Sequence, residues 1–108
     1  MKMSDYHPDK WAIVHITSPD HEPIDKVVGS WYGNFTSGDS WRINSGIEKV
    51  IETNNEYEVH GYSGNVYHCR KSCQGMSAYT EMVMNNMATQ LEEGGLGIMR
   101  VIDIKELL

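Results

Sequence analysis

Cysteine, proline and phenylalanine are scarce in this chain of 108 residues, with two, three and one copies. Two cysteines, Cys69 and Cys73, are too few for the disulfide framework of a small secreted scaffold. Three prolines leave no Pro-rich linker. No apolar run reaches the roughly 18–20 residues that a membrane span needs, and no N-terminal apolar run resembles a signal peptide. Basic residues are also in deficit, nine Lys and Arg against fifteen Asp and Glu, for a net charge of −6. They are scattered, which argues against direct binding to nucleic acid, because that needs a basic patch. The expectation is a cytoplasmic chain with reduced thiols, no membrane contact and no direct nucleic-acid contact.

What is present is one modest core and one unusual stretch. Hydrophobic residues make up 40% of the chain, enough for a single domain. The stretch is Trp31–Gly46, WYGNFTSGDSWRINSG, which holds Trp31, Tyr32, Phe35 and Trp41 among glycines and turn formers. Asn34, Ser37, Asp39 and Asn44 favour turns through side-chain bonds to nearby backbone. Each large aromatic can bury about 150–250 Å², an area a mobile loop would leave in water. An ordered loop folded onto a sheet is therefore expected, pinned by Trp31 and Trp41. Asp39 and Arg42 are spaced for a local ion pair. Tyr32, Phe35 and Arg42 then form a contact patch of the residue types found at interface hot spots. The candidate binding surface is Trp31, Tyr32, Phe35, Asp39, Trp41, Arg42 and Asn44. The plain alternative is that these aromatics only complete the core.

Three runs, GSWYGNFTSGDSWRINSGI, HGYSGNVYHCRKS and GMSAY, resemble a group of small uncharacterised proteins encoded by phages and prophages of enteric bacteria. The similarity covers roughly residues 10 to 85, with GDSWR-x-NSGI its most specific part. The resemblance implies a phage accessory protein in the host cytosol and carries over no catalytic residue.

Along the chain, residues 1–9 are polar and expected to fray, leaving 10–108 as the domain. KWAIVHIT (10–17) reads as a strand with Trp11, Ile13 and His15 on one face, His15 being a half-buried structural residue. SPDHEP (18–23) is a loop signal, and 25–32 is the returning strand, with Gly29 marking a bulge or close packing under an aromatic. Strands follow at 46–53, 56–62 and 66–71. For the last hairpin a three-residue Ser63-Gly64-Asn65 loop pairs His60 with His68, Glu58 with Arg70 and Val59 with Cys69. That register sorts charge to one face and apolar groups to the other. Ser77 caps a helix over about 78–93, with Tyr79, Met82, Val83, Met87 and Leu91 as its apolar stripe, and Gly94-Gly95 ends it. A last strand spans 97–104, followed by a short tail. The fold class is α+β: a mostly antiparallel, curved sheet of about five to six strands with one helix laid across it. The edges left by the first and last strands keep a homodimer open.

The chemistry available is thin. His60, His68, Cys69 and Cys73 gather near one hairpin, but the tight Cys or His pairs of a zinc site are missing. In the chosen register Cys69 faces away from both histidines, so His60 and His68 remain only a weak metal alternative. Neither thiol has an oriented base. Asp39 is a lone acid among aromatics, and no phosphate loop or serine elbow is present. No cofactor is expected. The leading expectation is a non-enzymatic phage or prophage accessory protein that binds a bacterial host protein, with a defence or regulatory component among the candidates. One alternative is a small-ligand module between the aromatic loop and the sheet, lined by Trp31, Trp41, Asp39 and Asn44. Another is an acidic DNA mimic built on Glu48, Glu52, Glu56 and Glu58 or on Glu92 and Glu93.

Overall fold

The computed structural model describes residues 4–33 and 38–108. Within them lie strands β1 (Asp5–Tyr6), β2 (Lys10–Ser18), β3 (His21–Trp31), β4 (Ser40–Ile43), β5 (Ile47–Glu52), β6 (Glu56–Gly61), β7 (Val66–Arg70) and β8 (Ile98–Ile102), and helix α1 (Ala78–Glu93). The strands divide into two four-stranded sheets, ordered β1-β7-β6-β5 and β4-β3-β2-β8. All pairings are antiparallel except β1 on β7. The class is α+β with mostly antiparallel sheets and one helix, as the sequence indicates. The division into two sheets and the larger number of strands are what the structure adds.

Strand β2 explains the layering. Trp11, Ala12, Ile13 and Val14 are all buried, so both faces of the strand are covered. On one face Trp11 and Ile13, with Val27 and Ile102, meet Tyr57, Val59, Tyr67 and Cys69 of the other sheet. On the opposite face Val14 and Val28 pack on Met84, flanked by Val83 and Met87 of α1. The order of layers is sheet, sheet, helix. Full burial of each Ile or Val contributes roughly 1.5–3 kcal/mol. The Trp11 indole also donates to the Arg70 carbonyl at 2.7 Å, tying the two sheets together.

Helix α1 has the expected limits. Ser77 Oγ accepts from the Thr80 amide at 3.2 Å and donates to Thr80 Oγ1 at 2.9 Å. That pairing satisfies the Thr80 hydroxyl, so Thr80 turns inward with Met84. The buried stripe is rotated accordingly, and Tyr79 and Met82, expected in the core, are exposed. A count of apolar positions alone misses a threonine whose hydroxyl is already paired.

Other expectations are corrected. Residues 5–9 do not fray: Asp5 and Tyr6 pair with Val66 and Tyr67, Pro8 is buried, and the Asp9 amide bonds the Ser30 carbonyl. SPDHEP is mostly a tight hairpin with Ser18 opposite His21. Pro23 is tolerated there because it sits at a β2–β3 irregularity and beyond the reach of β4, where no ladder bond is lost. The last strand stops at Ile102, and Asp103 caps a short 3₁₀ turn through the Lys105 amide.

The β6–β7 register also differs. Glu56 lies opposite Arg70, Tyr57 opposite Cys69, Glu58 opposite His68, Val59 opposite Tyr67 and His60 opposite Val66. The loop does have three residues, but they are Tyr62-Ser63-Gly64, closed by the Gly61 amide on the Asn65 carbonyl at 2.9 Å. Gly64 takes the left-handed position at φ 94°, at lower cost than Asn65. The shift is two in pairing sum, so no side chain changes face. Cys69 points into the core, while His60 and His68 share the other side. Among the described residues no helix is long and apolar enough to cross a membrane.

Candidate functional site

The aromatic stretch divides in a way its sequence does not announce. Trp31 ends β3 and lies opposite Ser40, whereas Trp41 lies opposite Ser30 in β4. Strand alternation therefore sends the two indoles to opposite faces of one sheet. Trp31 packs against the core between the sheets, and Trp41 against the cluster under the helix. Both are half-buried. Trp31 lies directly over Gly29: a Cβ at that position would fall 2.9 Å from the indole Cη2.

A stack of side chains from both sheets builds the rim. Tyr6 of β1 rests on Tyr67 with ring centroids 5.0 Å apart. Trp31 meets Tyr6 edge-on at 6.2 Å, and its indole N–H donates to the His7 carbonyl at 3.1 Å. The Arg42 guanidinium lies over the Tyr6 ring, 4.7 Å from its centroid, an arrangement worth about 0.5–1 kcal/mol at an exposed site. Tyr32 is 54% exposed, yet its amide is held by Asp9 Oδ2 at 2.9 Å. Asp39 Oδ1 accepts from the Gly33 amide at 3.0 Å and closes the base of the loop. Among the described residues Asp39 and Arg42 form no ion pair. The carboxylate is spent on the loop backbone and the guanidinium on Tyr6. A cleft of about 280 Å³ lies beside β4, lined by Tyr6, Trp31, Ser40, Trp41 and Arg42.

Asn44 has an architectural position. It is only 5% exposed. Its Oδ1 accepts from the Val27 amide at 2.9 Å, and its Nδ2 donates to the Gly46 carbonyl at 3.2 Å. It thereby continues the β3 ladder where the chain leaves for the other sheet, and it offers no polar atom to a ligand. Phe35 lies outside the described residues. The sequence reading missed Tyr6, His7 and Asp9, which anchor the rim from a segment that looked like a polar tail. Tyr6 and Pro8, two apolar-bodied residues within it, were the available signal.

The titratable groups behave as structural ones. Burial pushes the Tyr67 phenol up to about 12, against the opposing charge of Arg42. Burial, helped by Glu56, pushes the Cys69 thiol far up, which leaves no thiolate for catalysis. His68 Nδ1 pairs with Glu56 at 2.7 Å, and its Nε2 lies 3.5 Å from Asp5. Burial disfavours the charged ring, but those two carboxylates outweigh it, and the His68 pKa is raised. His60 Nε2 sits 3.4 Å from Glu58 without hydrogen-bond geometry. Among the described residues no group of three or more His, Cys, Asp or Glu is placed to hold a metal ion. Another concavity, about 370 Å³ and lined by Thr17, Ser18, Pro19, Glu92, Gly95, Gly97 and Ile98, has Glu92 as the single ionisable group in its lining. In comparisons with protein-family models, curated proteins and solved structures, the chain matches none.

Proposed function

We propose that this chain is a non-enzymatic phage or prophage accessory protein that binds a bacterial host protein through the rim of Tyr6, Trp31, Tyr32 and Arg42. The phage origin rests on the resemblance of its GDSWR-x-NSGI and HGYSG-x-VY runs. The binding reading rests on one observation: the Arg42 guanidinium is held over the Tyr6 ring, at the same rim where Asp9 fixes the backbone of the exposed Tyr32. An arginine side chain that is ordered before contact loses less conformational entropy on association.

Two features weigh against the alternatives. The cleft at the rim, about 280 Å³, falls just short of the roughly 300–1,000 Å³ of small-molecule sites. A DNA mimic needs a free anionic face, yet Glu52 pairs with Lys71, Glu56 with His68, and Glu58 lies against His60. The test is capture from host lysate with the wild-type chain, Tyr32→Ala, Arg42→Ala and the remote control Ile51→Ala. The expected result is one partner retained by wild type and Ile51→Ala and lost with either rim substitution. Capture that is indifferent to Tyr32 and Arg42 would overturn the reading.

A further inference from the structure

Two sheets among the described residues present four edges, and three of them are blunted in the usual ways. Strand β1 is two residues long. Strand β4 has four and carries Arg42. Strand β5 is irregular between Ile47 and Lys49 and carries Glu48, Lys49 and Glu52. Strand β8 is neither that short nor irregular, and Arg100 is its one charge. All five of its residues, IMRVI, pair with β2 without interruption. Its outer side leaves a row of backbone donors and acceptors with no strand partner among the described residues. Apolar side chains flank that row on both faces, with Val101 55% exposed on the helix side and Ile98 57% exposed on the other. Leu96, just before the strand, is 65% exposed.

A bare strand edge is complemented by another strand, because only extended backbone matches its spacing of N–H and C=O groups. We propose that β8 pairs antiparallel with β8 of a second copy of this chain, joining two four-stranded sheets into one of eight. Three features favour a copy as the occupant. The strand is apolar on both faces, so a two-fold axis normal to the sheet sets apolar residues against apolar ones on each side. Its one charge is easily accommodated: the register centred on Arg100 opposes like charges, but those centred on Met99 or Val101 place Arg100 opposite Ile98 or Ile102. Pairing of β8 with β8 is also closed, and the joined sheet ends at the short β4 strands, so growth stops at two. Because β4 and β8 are opposite edges of one sheet, the dimer carries its two aromatic rims at its outer ends. The inference is independent of what the rim binds.

The test is sedimentation velocity of the full chain from low to high micromolar concentration. The expected mass rises from 12.3 kDa toward twice that value. Val101→Lys and Ile98→Lys, both at positions more than half exposed and so compatible with folding, each weaken association at least tenfold, while Ile51→Lys on β5 leaves it unchanged. Far-UV circular dichroism confirms that each variant is folded, and amide exchange along 98–102 slows with concentration in wild type and Ile51→Lys but in neither β8 variant. A wild-type mass of 12.3 kDa at every concentration overturns the proposal and leaves the edge to a strand of another protein. So does association that persists in both lysine variants.

Discussion

Replacing Gly29 by alanine tests whether the rim is seated as described. An ideal Cβ at that position lies 2.9 Å from Trp31 Cη2, 3.1 Å from Cζ3 and 3.2 Å from Pro8 Cβ. The indole cannot swing away freely, since its N–H is bonded to His7 and its ring abuts Tyr6. Inserting a methyl into a packed site costs about 1–3 kcal/mol. Alanine in a strand recovers about 0.5–1 kcal/mol of the entropy that glycine loses. The clash wins, with a net loss of about 0.5–2 kcal/mol. At about 4–8 °C per kcal/mol for a domain near this size, Tm falls by roughly 2–16 °C. The assay is thermal unfolding of a double-mutant cycle of Gly29→Ala and Trp31→Leu. Removing the indole removes the obstruction, so Gly29→Ala should cost little in the Trp31→Leu background. A cycle that is additive within about 0.5 kcal/mol would refute the claim that Trp31 closes over Gly29.

Four further outcomes follow from particular side chains. The His68 pKa is raised in the folded chain, so its contribution to stability is complete below the ordinary value of 6.5 and is lost as pH rises through the folded pKa. Urea midpoints should fall over that window in wild type, and His68→Gln should flatten the slope. The Tyr67 hydroxyl is buried with no hydrogen-bond partner among the described residues, so Tyr67→Phe should leave the urea midpoint unchanged or raise stability by up to about 1 kcal/mol; a clear loss would mean the hydroxyl is paired. Cys73 is partly accessible and Cys69 fully buried, so native alkylation followed by mass spectrometry should label Cys73 first and Cys69 only after unfolding. Asn44→Ala orphans the buried Val27 amide and should cost about 1–3 kcal/mol in chemical denaturation.

How much of this was legible in the sequence depends on the range of the interactions. Helix α1 was readable to the residue because a serine cap and a Gly-Gly stop are local signals. Strand β2 was readable because β-branched alternation is local too. The faces of β6 and β7 were readable because a shift of two keeps parity, while the register was not, since it turned on whether Gly64 or Asn65 took the left-handed position. Strand β4 was hidden because SWRI sits among turn formers and becomes a strand only when β3 offers an edge. Asn44 looked like a ligand-facing amide because nothing in its neighbours reveals that Val27, seventeen residues away, lacks a ladder partner. The Met82 and Tyr79 error was one of angle: Thr80 took an interior place because Ser77 had satisfied its hydroxyl.

The least legible part, residues 5–9, is also the part that makes the rim a single object. Asp5 and Tyr6 belong to one sheet and Lys10 begins a strand of the other, so this segment stitches the two across their shared end. Each of its side chains is used at the crossing. Tyr6 carries Arg42 above and lies on Tyr67, His7 stacks on His68 at 4.5 Å, Pro8 fills the space beside Gly29, and Asp9 holds the Tyr32 amide. Arg42 belongs to the second sheet and Tyr32 directly follows its strand β3, while the groups beneath Arg42 come from the first. The placement of the Arg42 side chain and of the Tyr32 backbone is thus set by how the sheets meet. A surface built this way is as rigid as the packing between the sheets. That is why perturbations at Gly29 or Asn44, neither of which a partner would touch, should alter the rim as surely as changes to the aromatics themselves.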